Sequence, residues 1–233
     1  MHPLDNPIWQ ALTTSQAYLA KTGKLARRFP HDVTSLGAFP EPAPDAYDSL
    51  ASILDDVNAT GLFFDSPQQP PAGWTVLAGA PLLQMIYDNG RPPAASSASQ
   101  SASPEIVELA AADAPEMLAL AQLTKPGPFG LRTRELGAYL GIRRDASLVA
   151  MAGERLHVPG FTEISAVCTH PDYLGRGYAA ALMTMLMERI HARREVPFLH
   201  VREDNTRAIA VYERLGFRKR VRLHFAVVQK PAA

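Results

Sequence analysis

The sequence has one cysteine, Cys168, in 233 residues, which excludes an internal disulfide and points to a reducing, cytoplasmic setting. It has no surplus of either charge, with Lys plus Arg and Asp plus Glu both numbering 23. That balance removes the electrostatic footprint expected of a protein that tracks nucleic acid or an anionic membrane. No apolar run approaches the roughly 18 residues that span a bilayer, and the first residues lack the apolar centre of a signal peptide. No internal repeat is visible. His157, His170, His191 and His224 are not spaced with Cys or acidic partners as ligands, so no metal is expected. The chain is long enough for one large or two small domains.

The composition divides it. Residues 91–104, RPPAASSASQSASP, are small, polar and flanked by proline, with nothing to bury. They are expected to be a flexible linker between an N-terminal lobe, 1–90, and a C-terminal lobe, 105–230. In the first lobe the periodicity predicts helices over Ile8 to Ala20 and Asp45 to Val57, the second capped by Asp45. Short buried strands are expected at 61–64, 74–77 and 82–87, giving a small α/β module. It carries no Gly-x-Gly turn and no cluster with ligand spacing, so a packing or dimer-forming role is the plain expectation.

In the second lobe Ile106 to Leu109 reads as a strand, and Asp113-Ala114-Pro115-Glu116 as a helix start with proline in its first turn. A second helix is expected near Thr133 to Tyr139. Strands at 141–144 and 147–155 pair about Asp145-Ala146, and Pro159-Gly160 turns into a strand over 163–169. His170-Pro171-Asp172 breaks that strand. Gly175-Arg176-Gly177-Tyr178-Ala179-Ala180 then opens a helix rich in Ala, Leu and Met. A glycine turn between strand and helix aims unpaired backbone N–H groups outward at the positive end of the helix dipole, which suits a phosphate. As G-x-G-x-x-A this run fits a dinucleotide fingerprint. That reading requires further βα units and an acidic residue about 20 residues on, whereas only one more helix follows.

Downstream lies Pro197 to Asn205, a strand and turn, and then the string Asn205-x-x-Ala208-x-x-x-Tyr212-x-x-x-Gly216-Phe217. This string, together with Leu174-Gly175-Arg176-Gly177-Tyr178-Ala179, resembles the two signatures of the GNAT acetyltransferase superfamily. Leu174 stands where that family usually has Arg or Gln. The resemblance covers essentially all of 105–230 and implies the GNAT fold, an α/β arrangement in the order βααβββαβαβ. Its sheet would be mixed and mostly antiparallel, flanked by helices. For the N-terminal lobe it offers a second reading, a degenerate copy of the same fold that walls the substrate cleft.

The resemblance implies an acetyltransferase that moves an acetyl group from acetyl-CoA to a primary amine, small-molecule or peptide, by direct attack in a ternary complex. Val167, Cys168 and Thr169 would pair by main chain with the pantetheine arm, like an added strand. Gly175, Arg176, Gly177, Tyr178, Ala179 and Ala180 would hold the pyrophosphate. Asn205 matches the family's CoA-contacting asparagine and Tyr212 its general acid. Residues seven apart on a helix share a face, so these two should project together.

Two residues compete for the general base. Glu163 lies on the strand leading to the loop, where 163, 165, 167 and 169 would share one face. His200 lies on the next strand, at a place where some relatives carry a catalytic glutamate, and imidazole titrates at about 6.5 without tuning. Cys168 should point to the opposite face as a buried thiol. Rivals from other classes are a non-catalytic acyl-CoA-binding or sensing module and a nucleotide-dependent oxidoreductase. The acceptor and the oligomeric state, monomer or homodimer, are not written in these motifs.

Overall fold

A computed structural model describes residues 2–54, 57–88 and 104–231. The expected linker and the boundary near residue 100 fall largely outside these residues.

The N-terminal segment begins with α1 (Pro7–Thr13) and three two-residue strands, β1 (Lys21–Thr22), β2 (Arg27–Arg28) and β3 (Gly37–Ala38), which form a small sheet of their own. The first helix is shorter than the periodicity predicts. Thr13 and Thr14 turn their hydroxyls back onto the carbonyls of Trp9 and Gln10, at 2.7 and 2.5 Å, a local bond that competes with helix continuation. Gln16 then leaves the helix axis to bury its amide against the carbonyls of Leu136 and Arg155. The second helix, α2 (Pro44–Ala51), is capped by the backbone of Ala43 and started by Pro44, not by an Asp45 side chain.

Next come β4 (Ala59–Phe64) and β5 (Thr75–Ile86). Two strands were expected where β5 runs unbroken through Pro81. The carbonyl of Pro81 accepts from Glu203 N at 3.1 Å, so its backbone faces the chain just past residues 196–202 and turns away from the ladder it shares with residues 218–229. The missing N–H therefore costs that ladder nothing.

The C-terminal half supplies β6 (Ile106–Glu108), α3 (Ala114–Thr124), β7 (Tyr139–Arg144), β8 (Ser147–Val158), β9 (Phe161–Thr169), α4 (Tyr178–Ala192), β10 (Val196–Arg202), α5 (Thr206–Arg214) and β11 (Arg218–Gln229). The helix expected near 133–139 is one 3-10 turn, Thr133–Leu136, and β7 starts directly after it. The eight-stranded sheet has the order β4-β11-β5-β10-β9-β8-β7-β6. Within it only β9 and β10 run parallel, and the other neighbours are antiparallel.

Two strands of the N-terminal segment complete this sheet: β5 is wedged between β10 and β11, and β4 forms the edge beyond β11. The cores are shared in the same way. Leu182, Met183, Leu186, Met187 and Ile190 of α4 pack with Leu83, Met85 and Tyr87 from the N-terminal half. On another part of the sheet Leu4, Ile8 and Leu12 pack with Leu156, Val158 and Phe198. The chain thus completes its sheet with strands far away in sequence.

Candidate active site

The site begins where two strands part. β9 and β10 are paired only from Phe161–Glu163 to Val196–Phe198. Beyond that point β9 is bonded to β8 alone and β10 to β5 alone. The cause is local. Ala166 sits at φ 53°, and the β8–β9 register slips by one residue between the Met151 and Gly153 pairs. Such a bulge bends its strand and raises the twist, and a non-glycine residue held there costs about 1–2 kcal/mol.

The bulge also breaks the alternation expected for residues 163, 165, 167 and 169. Ile164 and Val167, three apart, pack into the cluster that contains α4. Ala166 and Cys168 pack into the cluster that contains residues of α3. Cys168 is buried, and burial pushes its thiol up to about 11, so it stays protonated and unreactive at neutral pH.

The parted strands open a cleft of about 1030 Å³. Val167, Cys168, Thr169, Gly175 to Ala180, His200, Asn205 and Tyr212 all line it. At one end stands the glycine turn. Gly175 and Gly177 take φ 78° and 76°, a left-handed conformation in which glycine alone is unstrained. A Cβ built on either would meet nothing within 4 Å. Gly177 caps α4 without any side-chain bond, and the first helical donor that finds its partner inside the helix is Ala181 N, to Gly177 O at 3.0 Å. The N–H groups of Tyr178, Ala179 and Ala180 therefore sit at the open end of a fifteen-residue helix, the arrangement that favours an anion. Arg176 leans over the Tyr173 ring at 5.0 Å.

The opposite wall is α5. Asn205 accepts from Ala208 N at 3.1 Å and so caps the helix while facing the cleft. Tyr212 follows on the same wall, its ring edge-on to Phe217 at 6.3 Å. Burial pushes its phenol up to about 12, which keeps the proton on oxygen at neutral pH.

Glu163 is placed differently from the expectation. Its side chain is wholly buried and forms no part of the cleft wall. Both its oxygens are gripped by Arg155, at 2.6 and 2.9 Å, and His200 Nδ1 lies 2.6 Å from Oε1. Burial by itself would raise this carboxyl, but the Arg155 charge and the hydrogen bonds of Arg155 and His200 outweigh it and hold it at about 2. His200 continues the chain inward: its Nε2 is 3.0 Å from Gln84 Nε2, which also donates to Leu4 O at 2.9 Å. Arg220 donates to Gln84 Oε1 at 2.8 Å and pairs with Asp5. One pattern of protons satisfies every member: Nδ1–H of a neutral imidazole donates to Glu163, and its Nε2 accepts from Gln84. Phe63 packs against the ring at a tilt, 4.6 Å between centroids, and Phe198 meets it edge-on at 5.7 Å.

Arg155, Gln84 and Arg220 escaped the sequence reading. The signal was there for two of them: Glu154-Arg155 and Gln84 are polar residues inside otherwise apolar strands, and buried polar groups need partners. The cleft has a marked charge bias as well. Lys125, Arg155, Arg176, Arg202, Arg207 and Arg214 line it, and among the described residues no Asp or Glu does. Nor do the described residues place three or more His, Cys, Asp or Glu together as a metal site.

Comparison with known proteins locates this architecture. The FR47-like protein family model matches residues 139–226. A crystal structure from Novosphingobium aromaticivorans, described as an acetyltransferase of the GNAT family, is 40% identical with a TM-score of 0.89, covering 100% of both chains. The chain belongs to the GNAT superfamily. That likeness spans the whole chain, the first ninety residues included. RimI, an N-alpha-acetyltransferase of Mycobacterium tuberculosis, is 37% identical over 101 residues, which are 40% of this chain and 63% of RimI. A GCN5-related N-acetyltransferase from Kribbella flavida shares the GNAT fold at 18% identity, with a TM-score of 0.61 over 96% of each chain. No helix among the described residues is long and apolar enough to cross a membrane.

Proposed function

We propose that this GNAT protein transfers an acetyl group from acetyl-CoA to a primary amine by direct attack in a ternary complex. The observation that carries the reading is the gap between β9 and β10, which runs into the glycine turn at the head of α4. The unpaired edge of β9 offers backbone donors and acceptors to the pantetheine arm. The amides of 175–180 and the α4 dipole take the pyrophosphate, and the clustered cations suit its charge. Asn205 flanks the arm from α5.

Each proton has a residue to handle it. As the amine nitrogen attacks the thioester carbon, a backbone N–H of the Val167 to Thr169 stretch stabilises the negative charge on oxygen. His200 Nε2 takes the proton from nitrogen when the amine displaces the Gln84 amide from that lone pair. Glu163 is a positioning residue, which fixes the Nδ1–H tautomer and steadies the imidazolium that forms. Tyr212 donates its proton to the sulfur as the C–S bond breaks and regains one from solvent.

The test is release of free thiol when the protein is mixed with acetyl-CoA and a panel of primary amines, beside titrations with CoA and with NAD(H). Thiol release that depends on amine, with CoA bound in preference to the dinucleotide, supports the reading. CoA binding without thiol release from any amine would leave an acyl-CoA-binding module in its place.

A further inference from the structure

The acceptor end of the cleft has a recess that the transfer chemistry above leaves unused. Pro126 to Phe129 roof it, and Thr133, Tyr139, Arg155, Ser165 and Ala166 form the rest. Pro126, Gly127, Pro128, Arg155, Ser165 and Ala166 also line the main cleft, so the recess is a side pocket of it. At its floor the Tyr139 ring is 1% exposed, held over Gly153 and edge-on to Phe129 at 5.9 Å. Its hydroxyl is buried and has no hydrogen-bond partner among the described residues. A buried polar group is disfavoured while it lacks a partner, so an orphan at a functional cleft calls for an occupant. Thr133 does not serve, because its hydroxyl is spent on Val33 O and Gly130 N.

Two further donors converge there. The Arg155 pair with Glu163 uses Nε and Nη2 and leaves Nη1 outside it. Ser165 lies on the wall of both recess and cleft. A phenol, a guanidinium edge and a hydroxyl form a donor set for an oxygen-rich, electron-rich group, not for a cation. The ionisable residues at the recess and cleft point the same way, since Lys125 stands at the end of the roof and no carboxylate lines either space among the described residues. A polyamine would find no carboxylate on these walls among the described residues. Beside His200 the wall is apolar: Leu36, Phe63, Leu82 and Phe225, all outside the glycine turn and α5.

We propose that the acceptor is an amino acid with an apolar side chain, its carboxylate held by Tyr139, Arg155 and Ser165 and its side chain by the Phe63–Phe225 wall. The proposal rests on the acetyltransferase reading and specifies its substrate. As it stands the recess has no space for a water-sized occupant, so binding shifts the roof. In that roof Lys125 is left-handed at φ 51° and Gly127 takes φ 142°, on either side of Pro126.

The experiment compares three acceptors of one side chain: phenylalanine, phenylalaninamide and 2-phenylethylamine. Thiol release from acetyl-CoA should favour phenylalanine in kcat/KM by at least about thirtyfold over both others. Tyr139→Phe, which removes only the orphan hydroxyl, should cut that preference about tenfold; a merely structural loss would lower all three rates together and leave the ratio intact. Equal rates with the amide or the amine would overturn the proposal, the first in favour of a peptide-like acceptor recognised by a neutral carbonyl. A binding measurement separates this from failure of the acetyltransferase reading. N-acetylphenylalanine should bind the protein, and Tyr139→Phe should weaken it about tenfold more than it weakens N-acetyl-2-phenylethylamine. Should no amine release thiol, that difference still supports the carboxylate subsite, and its absence rejects it.

Discussion

β10 has two edges with opposite fates. Along Leu82 to Ile86 it is bonded residue for residue to β5. On its other side, three residues of contact with β9 give way to a cleft. The closed edge is supplied by the N-terminal half and backed by a buried polar chain from Arg155 to Arg220; the open edge is supplied by a bulge and faces the glycine turn. The contrast teaches how a sheet keeps a gap without unravelling. A strand with both edges free would slide or pair with another chain, so fixing one edge with long-range strands lets the other stay open for a ligand.

Breaking the closed side should cost the most. Glu163→Gln leaves the Arg155 charge buried with a neutral partner, and should destabilise the fold by about 3–5 kcal/mol in urea unfolding. The wild type should also show the acid limb that this pair creates. The carboxyl titrates at about 2 in the folded protein against an ordinary 4.5. A depressed value means that the pair's contribution is complete above about pH 5 and is lost as pH falls toward 2. The variant should lack that limb. Unchanged stability together with lost CoA binding would invert the contrast, making Glu163 part of the open side.

The next largest effect belongs to the open side. Gly177→Val puts a β-branched residue at φ 76°, a strain of about 1–3 kcal/mol, and turns aside the amides at the head of α4. The dissociation constant for CoA should rise at least about a hundredfold, some 2.7 kcal/mol, with a smaller loss of fold stability than Glu163→Gln causes. Intact CoA binding in isothermal titration would remove the turn from the site.

The two sides also differed in how far the sequence disclosed them. The open side was legible because its parts are consecutive: Gly175 to Ala180 and Asn205 to Phe217 each carry their spacing within one turn and helix. The α/β class and the order of the C-terminal elements followed from the same local patterns. The closed side was not legible, because the pairing of Leu83 with Val201 and Arg222 leaves no trace in periodicity. A strand's alternation says that one face is buried and not which strand lies beside it. Glu163 stands off the cleft wall for a related reason. Its spacing looked right for a face on the cleft, and only the bulge at Ala166 and the depth of Arg155 turn it inward. The early end of α1 depended on Gln16 finding carbonyls more than a hundred residues away.

Tyr212→Phe sharpens the contrast within the open side by separating holding from chemistry. The ring and its edge contact with Phe217 are kept, so CoA affinity should stay nearly constant. Turnover should fall at least about tenfold, which is 1.4 kcal/mol of barrier, because the sulfur would leave without a proton donor. Normal turnover in a stopped-time thiol assay would take Tyr212 out of the mechanism.

The smallest effect should come from Arg176→Ala. Arg176 has two claims on its charge: the pyrophosphate beside the α4 head, and the Tyr173 ring 5.0 Å away. A single exposed cation near a helix-bound anion is worth about 0.3–1 kcal/mol at low salt, so the dissociation constant for CoA should rise only about two- to fivefold. The diagnostic is the salt dependence. Removing a phosphate contact should flatten the rise of the dissociation constant between low and physiological ionic strength, since screening acts on exposed charges. If affinity and salt slope both match the wild type, Arg176 spends its charge on Tyr173 and solvent. The backbone amides of the turn then hold the pyrophosphate without it, which would make the open side as much a main-chain construction as the closed side is a side-chain one.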